Sequence, residues 1–139
     1  METKSTKIGP YEIIREIGRG GMGVVYLAKH PTLGINVALK AMYPDPSRQK
    51  DDPDLSAARE RFIREAQITA NLNDPHIVRV YDYGIDEKTG VLFIVMNYID
   101  GGTLKDVLNS KTKLTLEETL KIVIPIAKTL QYLHSRGIV

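Results

Sequence analysis

Apolar positions along this chain follow two kinds of pattern: short runs rich in β-branched and aromatic residues, and stripes that recur every three or four positions. The runs Tyr11 to Ile17, Val24 to Lys29 and Asn36 to Met42 are of the first kind and predict three strands in sequence, the third after a Pro31-Thr32-Leu33-Gly34 turn. Tyr43 to Asp54 is rich in Pro and Asp and reads as an exposed connection. Ser56 then predicts the N-cap of a helix to about Leu72, roughly 25 Å long, with Phe62, Ala66 and Ala70 on its apolar face. Glu65 lies near that face, between Phe62 and Ile68, where an acid wants a cation. Asn73-Asp74-Pro75 ends the helix, and Ile77 to Tyr83 and Val91 to Asn97 predict two more strands joined by Gly84 to Gly90.

After the break at Asp100-Gly101-Gly102, the pairs Thr103 with Asp106 and Thr115 with Glu118 have the spacing of capping boxes and predict a short helix and a long one. Leu116, Leu120, Val123, Ala127, Leu130 and Leu133 form the long helix's stripe, which ends at Gly137; Pro125 inside it predicts a kink.

Composition adds mainly exclusions. With 139 residues, 42% hydrophobic and 26% charged, the chain has room for one modest globular domain. A net charge of +2 asks for neither nucleic acid nor an anionic membrane. Without cysteine there is no disulfide framework, thiolate nucleophile or Cys-based zinc site. The polar start lacks an apolar signal core, and the longest apolar run, Val91 to Met96, is too short for a membrane span, so a cytoplasmic location is expected. His30, His76 and His134 lack metal-ligand spacing and read as structural or surface residues.

The candidate chemistry begins at Gly18-Arg19-Gly20-Gly21-Met22-Gly23, between the first two strands. Bare backbone there can face an anion, because no Cβ stands in the way. The spacing alone also fits a dinucleotide-binding turn or an ordinary hairpin. The strand-like run after Gly23 argues against the dinucleotide unit, which needs a helix there, and the lack of a following Gly-Lys-Ser or Gly-Lys-Thr argues against a P-loop. Lys40, in Val37-Ala38-Leu39-Lys40, could hold phosphates or be an edge-strand charge; Glu65 could be its partner or a helix-surface acid.

Taken in order, the glycine loop, the strand lysine and the helix glutamate resemble the small lobe of protein kinases. Gly18-x-Gly20-x-x-Gly23-x-Val25 matches that family's loop, and the Lys40 motif differs from the usual one only by Leu for Ile. Gly20 to Tyr26, Arg64-Glu65-Ala66 and His134 to Val139 look most like bacterial serine/threonine kinases. The resemblance implies an α+β fold: a kinase-like small lobe over 11–96 with a five-stranded antiparallel sheet and one regulatory helix, after an N-terminal tail over 1–10. A hinge over 97–102 and two helices of an incomplete large lobe over 103–139 would follow. It also implies ATP as ligand. Gly18, Gly20, Gly21 and Gly23 would cover the phosphates, Lys40 would contact them, and Glu65 would fix Lys40. Ile17, Val25 and Ala38 would form an apolar ceiling for the purine, Met96 would stand beside it, and main-chain groups of Asn97 and Ile99 would bond its edge. The family often has Glu where Asn97 stands.

In kinases Gly-Ile-Val leads into the catalytic loop, and this sequence stops at Val139. The groups that orient the substrate hydroxyl and hold Mg²⁺ would lie beyond it, so these residues alone are expected to be inactive, with no catalytic or metal-binding residue among them, while the full-length parent phosphorylates Ser or Thr of protein substrates. The uncovered stripe of the last helix is expected to drive self-association. A non-catalytic interaction module with the same lobe is the alternative reading.

Overall fold

The computed structural model describes residues 6–21, 23–48 and 52–139. By its internal contacts the chain divides into two compact units, Met1–Leu72 with Val78–Tyr98, and Asn73–Ile77 with Ile99–Val139.

The first unit is built on a sheet in which every paired strand is antiparallel. Its strands are β1 (Lys7–Ile8), β2 (Tyr11–Gly20), β3 (Gly23–Lys29), β4 (Asn36–Met42), β5 (Val80–Ile85) and β6 (Leu92–Asn97), in the order β1-β2-β3-β4-β6-β5. The five predicted strands are all present, and β1, inside the predicted N-terminal tail, adds a sixth. Successive side chains of a strand point to opposite faces, and both faces of β6 are covered. Phe93 and Val95 join Ile8, Tyr11, Ala28, Val37, Leu39, Ala41 and Val91 in one cluster. Leu92 and Ile94 join Phe62 and Ala66 of the helix α1 (Pro53–Ala70) in another. Burial on both sides explains why β6 reads as an unbroken apolar run.

The sheet curls until its ends meet. Asp86, which follows the edge strand β5, accepts from the Gly9 amide at 2.8 Å, and Asp82 of β5 accepts from the Tyr11 hydroxyl at 2.9 Å. Burial, reinforced by that bond to Asp82, pushes the Tyr11 phenol up to about 12. The Phe93 ring fills this seam: a Cβ on Gly9 would lie 2.9 Å from its Cζ, and one on Gly84 would lie 3.0 Å from it. Gly84, predicted to begin a connection, is therefore inside β5, because the ring leaves no room for a side chain. The predicted strand Ile77 to Tyr83 is displaced accordingly, to Val80–Ile85.

Helix α1 also starts earlier than predicted. Asp52 is its N-cap, its side chain accepting from the Asp54 amide at 2.9 Å, and Pro53 is tolerated in the first turn because its missing N–H would have had no helical partner. Its buried residues are Leu55, Phe62 and Ala66; Ala70, at the end of the predicted stripe, is exposed.

The second unit holds α2 (Leu104–Lys111) and α3 (Leu116–Ser135), each opened by the predicted reciprocal capping box, Thr103 with Asp106 and Thr115 with Glu118. The α3 helix runs through Pro125 and ends in a Schellman turn: the Ile138 amide bonds the Leu133 carbonyl and the Gly137 amide bonds that of His134, with Gly137 at φ 75°. Within this unit Thr129 and Tyr132 of α3 hold the 73–77 segment, through Asp74 Oδ1 at 3.2 Å and the Asn73 amide at 3.2 Å. Leu116, Leu120, Val123 and Leu130 stay exposed.

Candidate functional site

Strand register places five of the predicted residues, Gly18, Val25, Ala38, Lys40 and Met96, on a common surface. Directly paired residues share a face, so Gly18, Val25, Lys40 and Ile94 form one cross-strand row and Leu27, Ala38 and Met96 the next. Val25, Ala38, Lys40 and Met96 thus line one side of the sheet, while Leu39 and Ala41 point to the other. Ile17 is half-buried at a bulge in the β2–β3 pairing, between Glu16 and Gly18. Bulges there and between Ile13 and Arg15 bend β2 and increase its local twist.

The glycine cluster is more regular than a loop. Strand β2 continues through Gly18, Arg19 and Gly20, and Gly20 pairs with Gly23, so the cluster is the end of a tight hairpin. Only Gly23 is demanded by the fold: at φ 139° it lies in a region side chains avoid, and a Cβ there would run into the Ala41 carbonyl. At Gly20 and Gly21 a Cβ would meet nothing within 4 Å. Those two glycines leave open space that packing does not require.

Lys40 occupies an inner strand, between β3 and β6, which excludes an edge-strand charge. Its cross-strand partner Ile94 belongs to the cluster on which Phe62 and Ala66 dock. That docking carries Glu65 over the lysine: Lys40 Nζ donates to Glu65 Oε1 at 3.1 Å and to Oε2 at 3.4 Å, with the Phe62 ring centroid 5.9 Å from Nζ. The lysine side chain is 21% exposed and the glutamate 49%, so the pair sits at the rim of the apolar face with the ammonium the better shielded.

Asn97 closes β6. Its amide donates to the Arg79 carbonyl at 2.8 Å and its side chain accepts from the Tyr81 hydroxyl at 3.5 Å. Ile99 is exposed and opens the longer segment of the second unit. Of the histidines, His30 caps the β3–β4 turn, its Nδ1 accepting from the Thr32 and Leu33 amides at 3.3 and 3.1 Å. Among the described residues no three His, Cys, Asp or Glu side chains gather as a metal cluster. Two polar contacts near the site have no pattern in the sequence: Tyr81 on Asn97, and a bond between the Tyr26 and Tyr43 hydroxyls.

An antiparallel lobe with a glycine hairpin, an inner-strand lysine and a helix carboxylate on that lysine defines a class, and comparison with known proteins agrees. The chain belongs to the protein kinase family, whose protein kinase domain matches residues 11–139. It is 46% identical over 141 residues to a probable serine/threonine-protein kinase of Streptomyces coelicolor, covering 100% of this chain and 20% of that protein. It is 40% identical over 129 residues to the serine/threonine-protein kinase PknJ of Mycobacterium tuberculosis, covering 93% of this chain and 20% of the relative. The crystal structure of the M. tuberculosis PknI kinase domain superposes with a TM-score of 0.73 at 34% identity, over 99% of this chain and 52% of that one. The chain therefore spans about a fifth of the length of these curated relatives and about half of a solved kinase domain.

Proposed function

We propose that this chain is the ATP-holding part of a serine/threonine protein kinase, with 11–96 as the small lobe, 97–102 as the hinge and 103–139 as the first helices of the large lobe. The observation that carries this reading is the Lys40–Glu65 pair at 3.1 Å, on the sheet face that also presents Val25, Ala38 and Met96. A carboxylate bonded to the lysine fixes the ammonium in place, so little reorganisation is needed when polyphosphate arrives. Val25, Ala38 and Ile17 provide the apolar ceiling, Met96 the back of the purine slot, and Asn97 and Ile99 the main-chain groups for its edge. The open backbone of Gly20 and Gly21, next to the constrained Gly23, fits a cover lying close over phosphate oxygens.

ATP supplies the γ-phosphoryl group that the full-length parent would transfer, with Mg²⁺, to Ser or Thr hydroxyls of proteins. Residues 1–139 by themselves hold the nucleotide without completing the transfer, because the family's hydroxyl-orienting and Mg²⁺-binding groups lie in the catalytic loop and beyond. The test is calorimetric titration of this chain with ATP, beside a radiolabel assay on a generic Ser/Thr substrate. Saturable binding lost in Lys40→Met, without label transfer, is expected. No binding in the wild type would favour an interaction module, and transfer that depends on Lys40 would refute the inactivity of these residues.

A further inference from the structure

The glycine hairpin is fastened from behind. Tyr26 pairs with Leu39 and Val24 with Ala41, so Tyr26 and Val24 lie on the sheet face opposite Val25 and Lys40. Tyr43 follows β4 two residues after Ala41, on that same reverse side, and its hydroxyl lies 2.6 Å from that of Tyr26. Beside them Glu16, the cross-strand partner of Tyr26 on β2, takes Arg19 in a two-pronged pair, Nε to Oε1 and Nη2 to Oε2 each at 3.0 Å. Tyr43 and Arg19 line one crevice of about 470 Å³ with Gly20, Gly21 and Gly23. Burial and the Tyr26 bond push the Tyr43 phenol up to about 12, so that hydroxyl keeps its proton at ordinary pH.

We propose that Tyr26 and Tyr43 are positioning residues: their hydroxyl bond clasps the rear of the Gly18–Gly23 hairpin to the end of the strand that carries Lys40, setting the height of the phosphate cover above the lysine. This rests on the nucleotide reading above and extends it to residues that touch no ligand. A Cβ at Gly20 or Gly21 would meet nothing within 4 Å, and these two glycines give the end of the hairpin backbone freedom, so one well-formed bond at its root shifts how much of the time it lies closed. Phosphate contacts depend directly on that closure, whereas the purine slot depends on it only through Ile17 and Val25, its other walls Ala38 and Met96 lying on paired inner strands.

The test compares ATP with adenosine on the wild-type chain, Tyr26→Phe, Tyr43→Phe and the double variant, each of which keeps the ring. Either single change should weaken ATP binding about fivefold, the scale of one net hydrogen bond, and weaken adenosine binding distinctly less. The double variant should be no weaker than either single one, because one bond is removed only once. Without nucleotide, amide hydrogen exchange at Gly18–Gly21 and Gly23–Val25 should quicken in all three variants. Equal losses for ATP and adenosine, additive effects, or unchanged exchange would each overturn the clasp. If the wild-type chain binds neither ligand, the nucleotide reading falls and the exchange rates alone decide the clasp.

Discussion

Asp86 accepts a hydrogen bond from the Gly9 amide at 2.8 Å although the two residues flank strands at opposite ends of the sheet order. The carboxylate also accepts from the Lys88 and Thr89 amides, at 2.9 and 3.1 Å, and the residue is buried. One side chain thus shapes the β5–β6 turn and closes the curl of the sheet.

The Gly9 bond first, and the turn amides after it, hold the Asp86 carboxyl below its ordinary value of 3.8. In the unfolded chain it titrates normally, so its stabilising effect is complete above about pH 4 and is lost as pH falls through the lower folded value. Melting temperature should therefore drop more steeply below about pH 4 for the wild type than for Asp86→Asn. Parallel curves would refute the assignment. Asp86→Ala should lower the melting temperature at pH 7 by removing all three acceptor bonds.

Gly20→Ala and Gly23→Ala should separate fold from function. At Gly23 the backbone conformation and the Ala41 carbonyl both oppose a side chain, and a loss of more than about 1 kcal/mol is expected in denaturant titration. At Gly20 the fold accommodates a methyl group, so stability should hold while ATP affinity falls.

The Lys40–Glu65 pair should matter little for stability. With half of the glutamate side chain in water, its contribution is expected to stay below about 1 kcal/mol. Glu65→Gln should therefore shift the denaturation midpoint only slightly while weakening ATP binding. A large midpoint shift would make the pair structural.

Phe62 is 1% exposed and anchors α1 on Leu92 and Ile94. Phe62→Ala is expected to cost about 3–5 kcal/mol, and to lower ATP affinity as well, since the same docking carries Glu65. Circular dichroism melts and calorimetry would check both.

The exposed row Leu116, Leu120, Val123 and Leu130 on α3 should make this chain associate at high concentration. Light scattering should register oligomers, reduced by Leu120→Glu with Leu130→Glu. A monodisperse wild-type monomer would contradict this.

Much of the architecture is legible in the sequence because local rules suffice there. Thr103 with Asp106 and Thr115 with Glu118 specify helix starts through bonds within four residues, and both appear as predicted. Lys40 and Glu65 are legible as a pair because family resemblance supplies the long-range contact that spacing cannot. What stayed hidden depends on partners distant in sequence. Gly84 looks like a turn until the Phe93 ring is placed against it, and β1 is too short to stand out without β2 beside it. Asp86 and Tyr43 likewise carry no signal of their bonds to Gly9 and Tyr26, since Asp in a turn and Tyr after a strand are ordinary choices.

The inner position of β4 makes Lys40 a guardian of strand alignment. Its neighbours Leu39 and Ala41 face the closed apolar interior, and β4 is laddered to β3 on one side and β6 on the other. If β4 slipped by one residue, its side chains would exchange faces and the ammonium would be driven into that interior, away from any carboxylate. A one-residue misalignment of this strand is thus penalised during folding by the same charge that the native sheet holds against Glu65.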